Sequence, residues 1–386
     1  AQQPTRDTGS KIMPLKSFSR QRRSDHLSQH PYYNNQTPRT SVSALNTTQH
    51  IGQTQTAILS TLDILKRPYR PTPWLFNTHA QLIFLGLQTQ RGTMRYDHTE
   101  QLRTSAGGTV GLFWMGYQQP ATTPTIVVLH TITGTPQSMH GLIADLQQQT
   151  GWRVVLCLRR GHADLALTAP TINLLGSTAD LQQQLDVIQQ RFPASALYAV
   201  GSSAGSGLLV RYLGEAAEHS NFTAAFAYCP GYNTDEAFGR SHPFYSRLMA
   251  KKLVQKFITR HVAQLSRLST LTALQNSKDL AEFQANSYEL AGYSSYADYS
   301  AASNPMHVFE RIQTPLMVLN AEDDPICHID NRQPYLKLMQ QMPNVSLITT
   351  ARGSHCAHYE GWRATSWSTR LMAEYFLAVH RDLNSV

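Results

Sequence analysis

One stretch restricts the fold of this chain more than any other. From Leu197 to Gly214 an apolar run, Leu197–Val200, leads into Gly201-Ser202-Ser203-Ala204-Gly205; a second apolar run, Leu208–Leu213, follows and is closed by Gly214. The first run suits a buried strand, and the second suits a helix with a glycine at its C-terminal cap. A strand that turns at once into a helix crowds two backbones together, so only small side chains fit two residues either side of the central serine. The turn holds that serine in a strained conformation with its hydroxyl exposed, at the positive end of the helix dipole. The spacing singles out Ser203 over its neighbours Ser202 and Ser206.

The surrounding sequence sets the scaffold. From Thr125 onward, apolar runs alternate with helical patterns: strand Ile126–Leu129, helix Met139–Gln149, strand Trp152–Leu158, helix Thr178–Phe192, the serine turn, then strand Thr223–Cys229. Strands separated by ten to fifteen helical residues predict an α/β domain with a mostly parallel, doubly wound sheet. A hairpin is expected upstream, with Gly107-Gly108 between Tyr96–Leu102 and Val110–Met115. The rhythm breaks at Pro230. Residues 232–300 carry helical patterns without a strand and predict a helical cap over the carboxyl ends of the strands, where ligands bind in such sheets. Alternation resumes with Leu316–Asn320, Val345–Thr350 and a closing helix from Glu360 to about Arg381. The expected organisation is therefore a core in two parts, 51–231 and 301–386, with the cap between them. Before the hairpin, a short amphipathic helix at Ala57–Lys66 and the aromatic segment from Pro71 to Gln81 are expected to pack on this core.

Charge is uneven. Of the net +8, residues 1–50 hold seven Lys/Arg against two Asp, leaving only +3 on the other 336 residues. A nucleic-acid protein keeps its basic surface on the folded part, so nucleic acid is not expected as a partner. The same segment is rich in Ser, Thr, Gln and Asn and is read as a disordered basic tail. Its composition also suits an organellar (mitochondrial or plastid) transit peptide, hence an intracellular setting, or a docking segment for a protein partner. No run approaches eighteen apolar residues, so membrane contact is expected to be peripheral. Four dispersed cysteines (Cys157, Cys229, Cys327, Cys356) fit free thiols better than a disulfide scaffold or zinc site.

Acyl transfer by serine needs a base to take the hydroxyl proton and an acid to orient that base. After the strand Leu316–Asn320 comes Ala321-Glu322-Asp323-Asp324-Pro325, and after the last strand comes Ala351-Arg352-Gly353-Ser354-His355. Both lie just past a strand's carboxyl end, on the rim that carries Ser203. His355 is expected as the base, with His358 as the alternative. Asp324, immediately before Pro325, is preferred as the acid, and Asp323 is assigned to capping the turn. No further ligand converges on the histidines and aspartates, so neither a metal nor a cofactor is expected. The oxyanion hole is assigned to the Ala204 N–H and to an N–H from the loop after His130, with Ile132 as donor.

With these residues assembled, the chain resembles an α/β-hydrolase of the ABHD/YheT type over roughly residues 65–380. The marks are Pro73-Trp74-Leu75 with Asn77-Thr78-His79-Ala80-Gln81, the His130–Gly134 loop, Arg160-Gly161, the Gly176–Asp180 helix start, Tyr212-Leu213-Gly214, Tyr299 with Ser303, Asn320–Pro325 and Gly353-Ser354-His355. The resemblance implies an α/β-hydrolase fold, a Ser203–Asp324–His355 triad, and action on medium- or long-chain carboxylic esters, lipids among them. Family members usually have His-Gly where this chain has His130-Thr131. If that position needs a positive φ, threonine would be strained there. Three functions follow: a serine hydrolase of lipid-like esters, an acyltransferase to an alcohol, and a catalytically silent fold serving as a binding or assembly subunit.

Overall fold

A computed structural model describes residues 47–90, 95–175 and 177–385. The tail expected over residues 1–50 therefore lies outside the described residues up to position 46. Its boundary needs correction, because Thr47–His50 form an edge strand pairing antiparallel with Leu347–Thr350.

Among the described residues nine strands form one sheet: β1 (Thr47–His50), β2 (His98–Arg103), β3 (Thr109–Met115), β4 (Thr125–Leu129), β5 (Arg153–Leu158), β6 (Leu197–Ser202), β7 (Phe222–Tyr228), β8 (Leu316–Ala321) and β9 (Val345–Thr350). Their order is β1-β9-β8-β7-β6-β4-β5-β3-β2. From β5 through β4, β6, β7 and β8 to β9 every pairing is parallel, while β1, and β3 with β2, close the two edges antiparallel. The helices are α1 (Thr56–Ser60), α2 (Thr78–Gln88), α3 (Pro136–Thr150), α4 (Ala179–Arg191), α5 (Ala204–Ala216), α6 (Pro243–Leu253), α7 (Leu271–Gln275), α8 (Leu280–Ala285), α9 (Tyr296–Ser303), α10 (Leu336–Gln341) and α11 (Trp367–Leu383).

The period-two alternation of each strand divides the core. On β4, Ile126 and Val128 face one side and pack with Met139, Ile143 and Leu146 of α3 and Leu371, Tyr375 and Phe376 of α11. Val127 and Leu129 face the other side and pack with Leu181, Leu185 and Ile188 of α4 and Leu208, Leu209 and Leu213 of α5. Continuous apolar runs are what a strand covered on both faces requires.

Between β7 and β8 the chain leaves the sheet and builds α6 to α9. Leu253, Phe257, Ile258, Leu265, Leu274, Leu280, Phe283 and Leu290 form a separate apolar cluster there, which closes on Ile132, Ile172, Leu174 and Ala204. This insertion thus sits against the two backbone segments expected to supply the oxyanion hole.

Two expectations change. The closing helix begins at Trp367, capped by Ser366 Oγ accepting from the Thr369 N–H at 3.2 Å, because residues 359–366 first form a two-stranded turn with Gly361 at φ 66°. The Pro71–Gln81 segment is only partly packed. Leu75 and Gln81 are buried, but Trp74 and Phe76 are exposed and the chain continues into α2, a helix that the sequence reading does not anticipate. No helix among the described residues is long and apolar enough to cross a membrane.

Candidate active site

Ser203 sits at the junction of β6 and α5 with φ 54°, ψ −117°, a conformation that a non-glycine residue holds only when its surroundings force it. The force is visible at the flanking glycines. A Cβ on Gly201 would lie 2.5 Å from the Gly205 carbonyl oxygen and 2.6 Å from Ser206 Cα, and one on Gly205 would fall on the Leu129 carbonyl of β4. The Ser203 N–H is tied to the Tyr228 carbonyl across the sheet at 2.8 Å. Crowding between two strands and a helix therefore explains the motif spacing directly.

The other two residues arrive from the loops after β8 and β9. His355 Nε2 accepts from the Ser203 hydroxyl at 2.8 Å, and His355 Nδ1 donates to Asp324 Oδ2 at 2.7 Å. The second Asp324 oxygen accepts from the backbone N–H groups of Ile326 and Cys327 at 2.8 and 2.9 Å, which fixes the carboxylate in place. All three side chains are buried. Asp323 turns away: its Oδ1 accepts from the Ser354 N–H at 2.8 Å, bracing the loop that presents His355. His358 is buried between the Tyr228 and Thr350 hydroxyls at 3.0 and 2.9 Å and does not reach Ser203's partner position. Neither Ser202 nor Ser206 contacts the imidazole. Ser202 faces the Cys356 sulfur at 3.5 Å and Ser206 donates to the Ser203 carbonyl at 2.5 Å.

The proposed oxyanion loop is held from its carbonyl side. The Thr131 carbonyl accepts from the Gly134 N–H at 3.0 Å, from Arg159 Nη2 at 2.8 Å and from His130 Nδ1 at 2.7 Å. His130 Nε2 accepts from the Arg159 N–H at 3.1 Å, which assigns the ring proton to Nδ1. In a trans peptide the C=O and the following N–H point in opposite directions, so these three contacts fix where the Ile132 N–H points. His162 Nε2 braces the next peptide, 3.0 Å from the Ile132 carbonyl. Among the described residues neither the Ile132 N–H nor the Ala204 N–H has an acceptor, an arrangement rare for partly or fully buried amides without a ligand to serve. The sequence alone does not mark Arg159 and His162 as supports. Their only sequence signal was position, since both follow β5 on the same rim. Arg160 between them is structural, donating to both oxygens of buried Asp180 at 2.6 Å.

Thr131 is not among the residues with positive φ, so the expected strain is absent. Thr131→Gly is accordingly expected to leave kcat/KM within about three-fold and to lower stability by about 0.5–1 kcal/mol through added backbone entropy. A ten-fold gain in kcat/KM would show that threonine does strain the loop.

These observations meet a match of the sequence, over residues 124–361 and so over well more than half of the chain, to the family described as alpha/beta hydrolase fold. The chain is an α/β hydrolase. Similar proteins include the embryogenesis-associated protein EMB8 of Picea glauca, 28% identical over 84% of this hydrolase and 75% of that protein. The phospholipase ABHD3 of Mus musculus is 26% identical, with 82% and 80% covered. The medium-chain fatty acid ethyl ester synthase/esterase 2 of Saccharomyces cerevisiae is 26% identical, with 66% and 62% covered.

The electrostatics of the hydrolase site separate its titratable groups. Burial alone would lower the His355 pKa, but the Asp324 carboxylate, aided by the Cys356 and Cys327 sulfurs, raises it well above its ordinary value. Burial lowers His358 to about 3, so its ring is neutral and its role is packing and hydrogen bonding. Burial also pushes Asp323 up to about 6. Arg159 is brought down to about 9 by burial, and its Nε and Nη1 find no partner among the described residues. All four cysteines are free. Two sets, Cys229 with His355 and Cys356, and Asp324 with Cys327 and His355, bring metal-ligating atoms within 4.8 Å of one another. Both sets need His355, whose two ring nitrogens already face Ser203 and Asp324, so a cation there would compete with the hydrogen-bonded chain rather than assist it.

Proposed function

We propose that this hydrolase cleaves carboxylic esters of medium- or long-chain acyl groups, lipid esters among them, through an acyl-enzyme on Ser203. One observation carries the reading: the unbroken chain of hydrogen bonds from Ser203 through His355 to Asp324. As Ser203 Oγ attacks the ester carbonyl, its proton passes to His355 Nε2, and the imidazolium so formed is stabilised by Asp324. Negative charge developing on the carbonyl oxygen is met by the unpaired N–H groups of Ala204 and Ile132; losing one such donor typically costs about 10²–10³ in turnover. His355 then protonates the leaving alcohol, and water attacks the acyl-enzyme with the same groups in reverse roles.

Support for an apolar acyl chain comes from the cap, whose aliphatic cluster closes on Ile132 and Ala204, and from relatives named as a phospholipase, a monoacylglycerol lipase and an esterase. The relative named a synthase as well as an esterase keeps a second reading in view, transfer of the acyl group to an alcohol. Incubation with a medium-chain acyl ester, with and without added ethanol, separates the two. Free fatty acid as the main product in both cases is expected. Ethyl ester as the main product would favour transfer, and neither product from folded protein would favour a catalytically silent fold.

A further inference from the structure

The surface beside the Ser203 rim carries an unusual concentration of exposed apolar side chains. Helix α2 reads Thr-His-Ala-Gln-Leu-Ile-Phe-Leu-Gly-Leu-Gln, yet only Gln81 in it is buried. Ile83 is 65% exposed, Leu87 48%, Phe76 just before the helix 73%, and Trp362 75%. The elements that carry them are linked to one another. The Trp74 indole N–H donates to the Trp362 carbonyl at 2.8 Å, Trp74 packs edge-on against Phe84 of α2, and His79 at the start of α2 meets the Tyr245 hydroxyl of α6 at 2.6 Å. Tyr245 leads to exposed Phe244, with Leu248 exposed one turn along α6. A solitary exposed Leu or Phe is ordinary; seven large apolar side chains exposed on linked elements of one folded domain mark a surface that something covers.

Charge identifies what covers it. Neither α2 nor α6 contains an acidic residue, and exposed Arg247, Lys251 and Lys252 on α6, with Arg363 beside Trp362, have no carboxylate partner among the described residues. Aromatic and aliphatic side chains set among unpaired cations match a membrane interface, where apolar groups enter the acyl boundary and cations meet anionic headgroups.

We propose that this face, built by Trp74, Phe76, α2, α6 and Trp362, docks the protein on the surface of an anionic lipid bilayer. The docking face is continuous with the site: Thr78, the first residue of α2, donates to Ser354 Oγ at 2.6 Å, and its carbonyl accepts from Ser354 in return at 3.1 Å, next to His355. A bilayer lying on α2 and α6 would therefore meet the rim that carries the triad. The surface is independent of the ester chemistry, so it stands or falls separately from the reading of Ser203.

The test uses the full chain carrying Ser203→Ala, so that no turnover is involved, with vesicles of phosphatidylcholine containing about one third phosphatidylserine. Three tryptophans, Trp114, Trp152 and Trp367, are buried, so a blue shift of tryptophan emission on vesicle addition reports Trp74 and Trp362. Co-sedimentation and that blue shift are expected for the parent. Phe76→Ser with Ile83→Ser and Leu87→Ser should weaken binding at least about ten-fold, and Lys251→Gln with Lys252→Gln should weaken binding to anionic vesicles while leaving an unchanged thermal melt. The proposal is overturned if the parent does not bind or if both variants bind as tightly as the parent, as attachment through the basic tail would give. It is also overturned if the parent is a dimer that the apolar variant converts to monomer, which would make a second copy the occupant.

Discussion

Ser203→Ala yields a folded protein whose ester turnover is lower by about 10⁴-fold or more and which no longer takes a fluorophosphonate probe. The magnitude follows from the way nucleophile and base act as one unit, so that removing either forfeits nearly all covalent catalysis. Folding survives because, among the described residues, the hydroxyl's one hydrogen-bond partner is His355 Nε2, while the strained backbone is imposed by neighbours that the substitution leaves intact. Ser202→Ala and Ser206→Ala should both still be labelled, since neither hydroxyl faces the imidazole. Undiminished labelling of Ser203→Ala would remove this serine from the mechanism.

Asp324→Asn lowers kcat by about 10⁴-fold with little effect on KM, because an amide opposite Nδ1 favours the wrong imidazole tautomer. Asp323→Asn should cost less than about ten-fold, as this residue braces Ser354 and does not touch His355. A larger loss at Asp323 than at Asp324 would reverse the assignment. The same pair predicts the pH profile. His355 must be neutral to accept the serine proton, and its pKa is raised, so kcat/KM climbs as pH rises through that pKa and the climb lies above the ordinary 6.5. Asp324 is the largest contributor to the increase, so in Asp324→Asn the rising limb moves to lower pH. A wild-type limb centred below 6.5 would contradict this electrostatic picture.

How much of this is legible in the sequence differs from residue to residue, for physical reasons. The Ser203 turn was legible because backbone crowding leaves a mark in the residue types: Gly201 and Gly205 are where any Cβ would strike the neighbouring backbone. The acid and base were legible through chain order and their place after strands. Choosing Asp324 over Asp323 rested on a proline one residue on, and the geometry supplies what the sequence lacks, namely which carboxylate reaches Nδ1 and which reaches the Ser354 N–H. The oxyanion loop was the least legible part. Whether Thr131 is strained depends on Arg159 and His162, which arrive from another strand and have no local pattern linking them to residue 131. Helix α2 was invisible for a different reason. Its apolar residues are followed by no polar face, so the 3.6-residue period that announces an amphipathic helix is missing, and what makes it apolar is its outward surface. The alternating strands, covered on both faces, gave the opposite case: long apolar runs whose partners on each side could be anticipated.

The most direct test of the account is to trap the covalent intermediate. The protein is mixed briefly with a medium-chain activated ester, quenched in acid, and measured by intact mass and then by peptide mapping. A single acyl adduct on Ser203, absent in Ser203→Ala, is the predicted result. An adduct on Cys356, or turnover of ester in protein that never carries an acyl group, would contradict it.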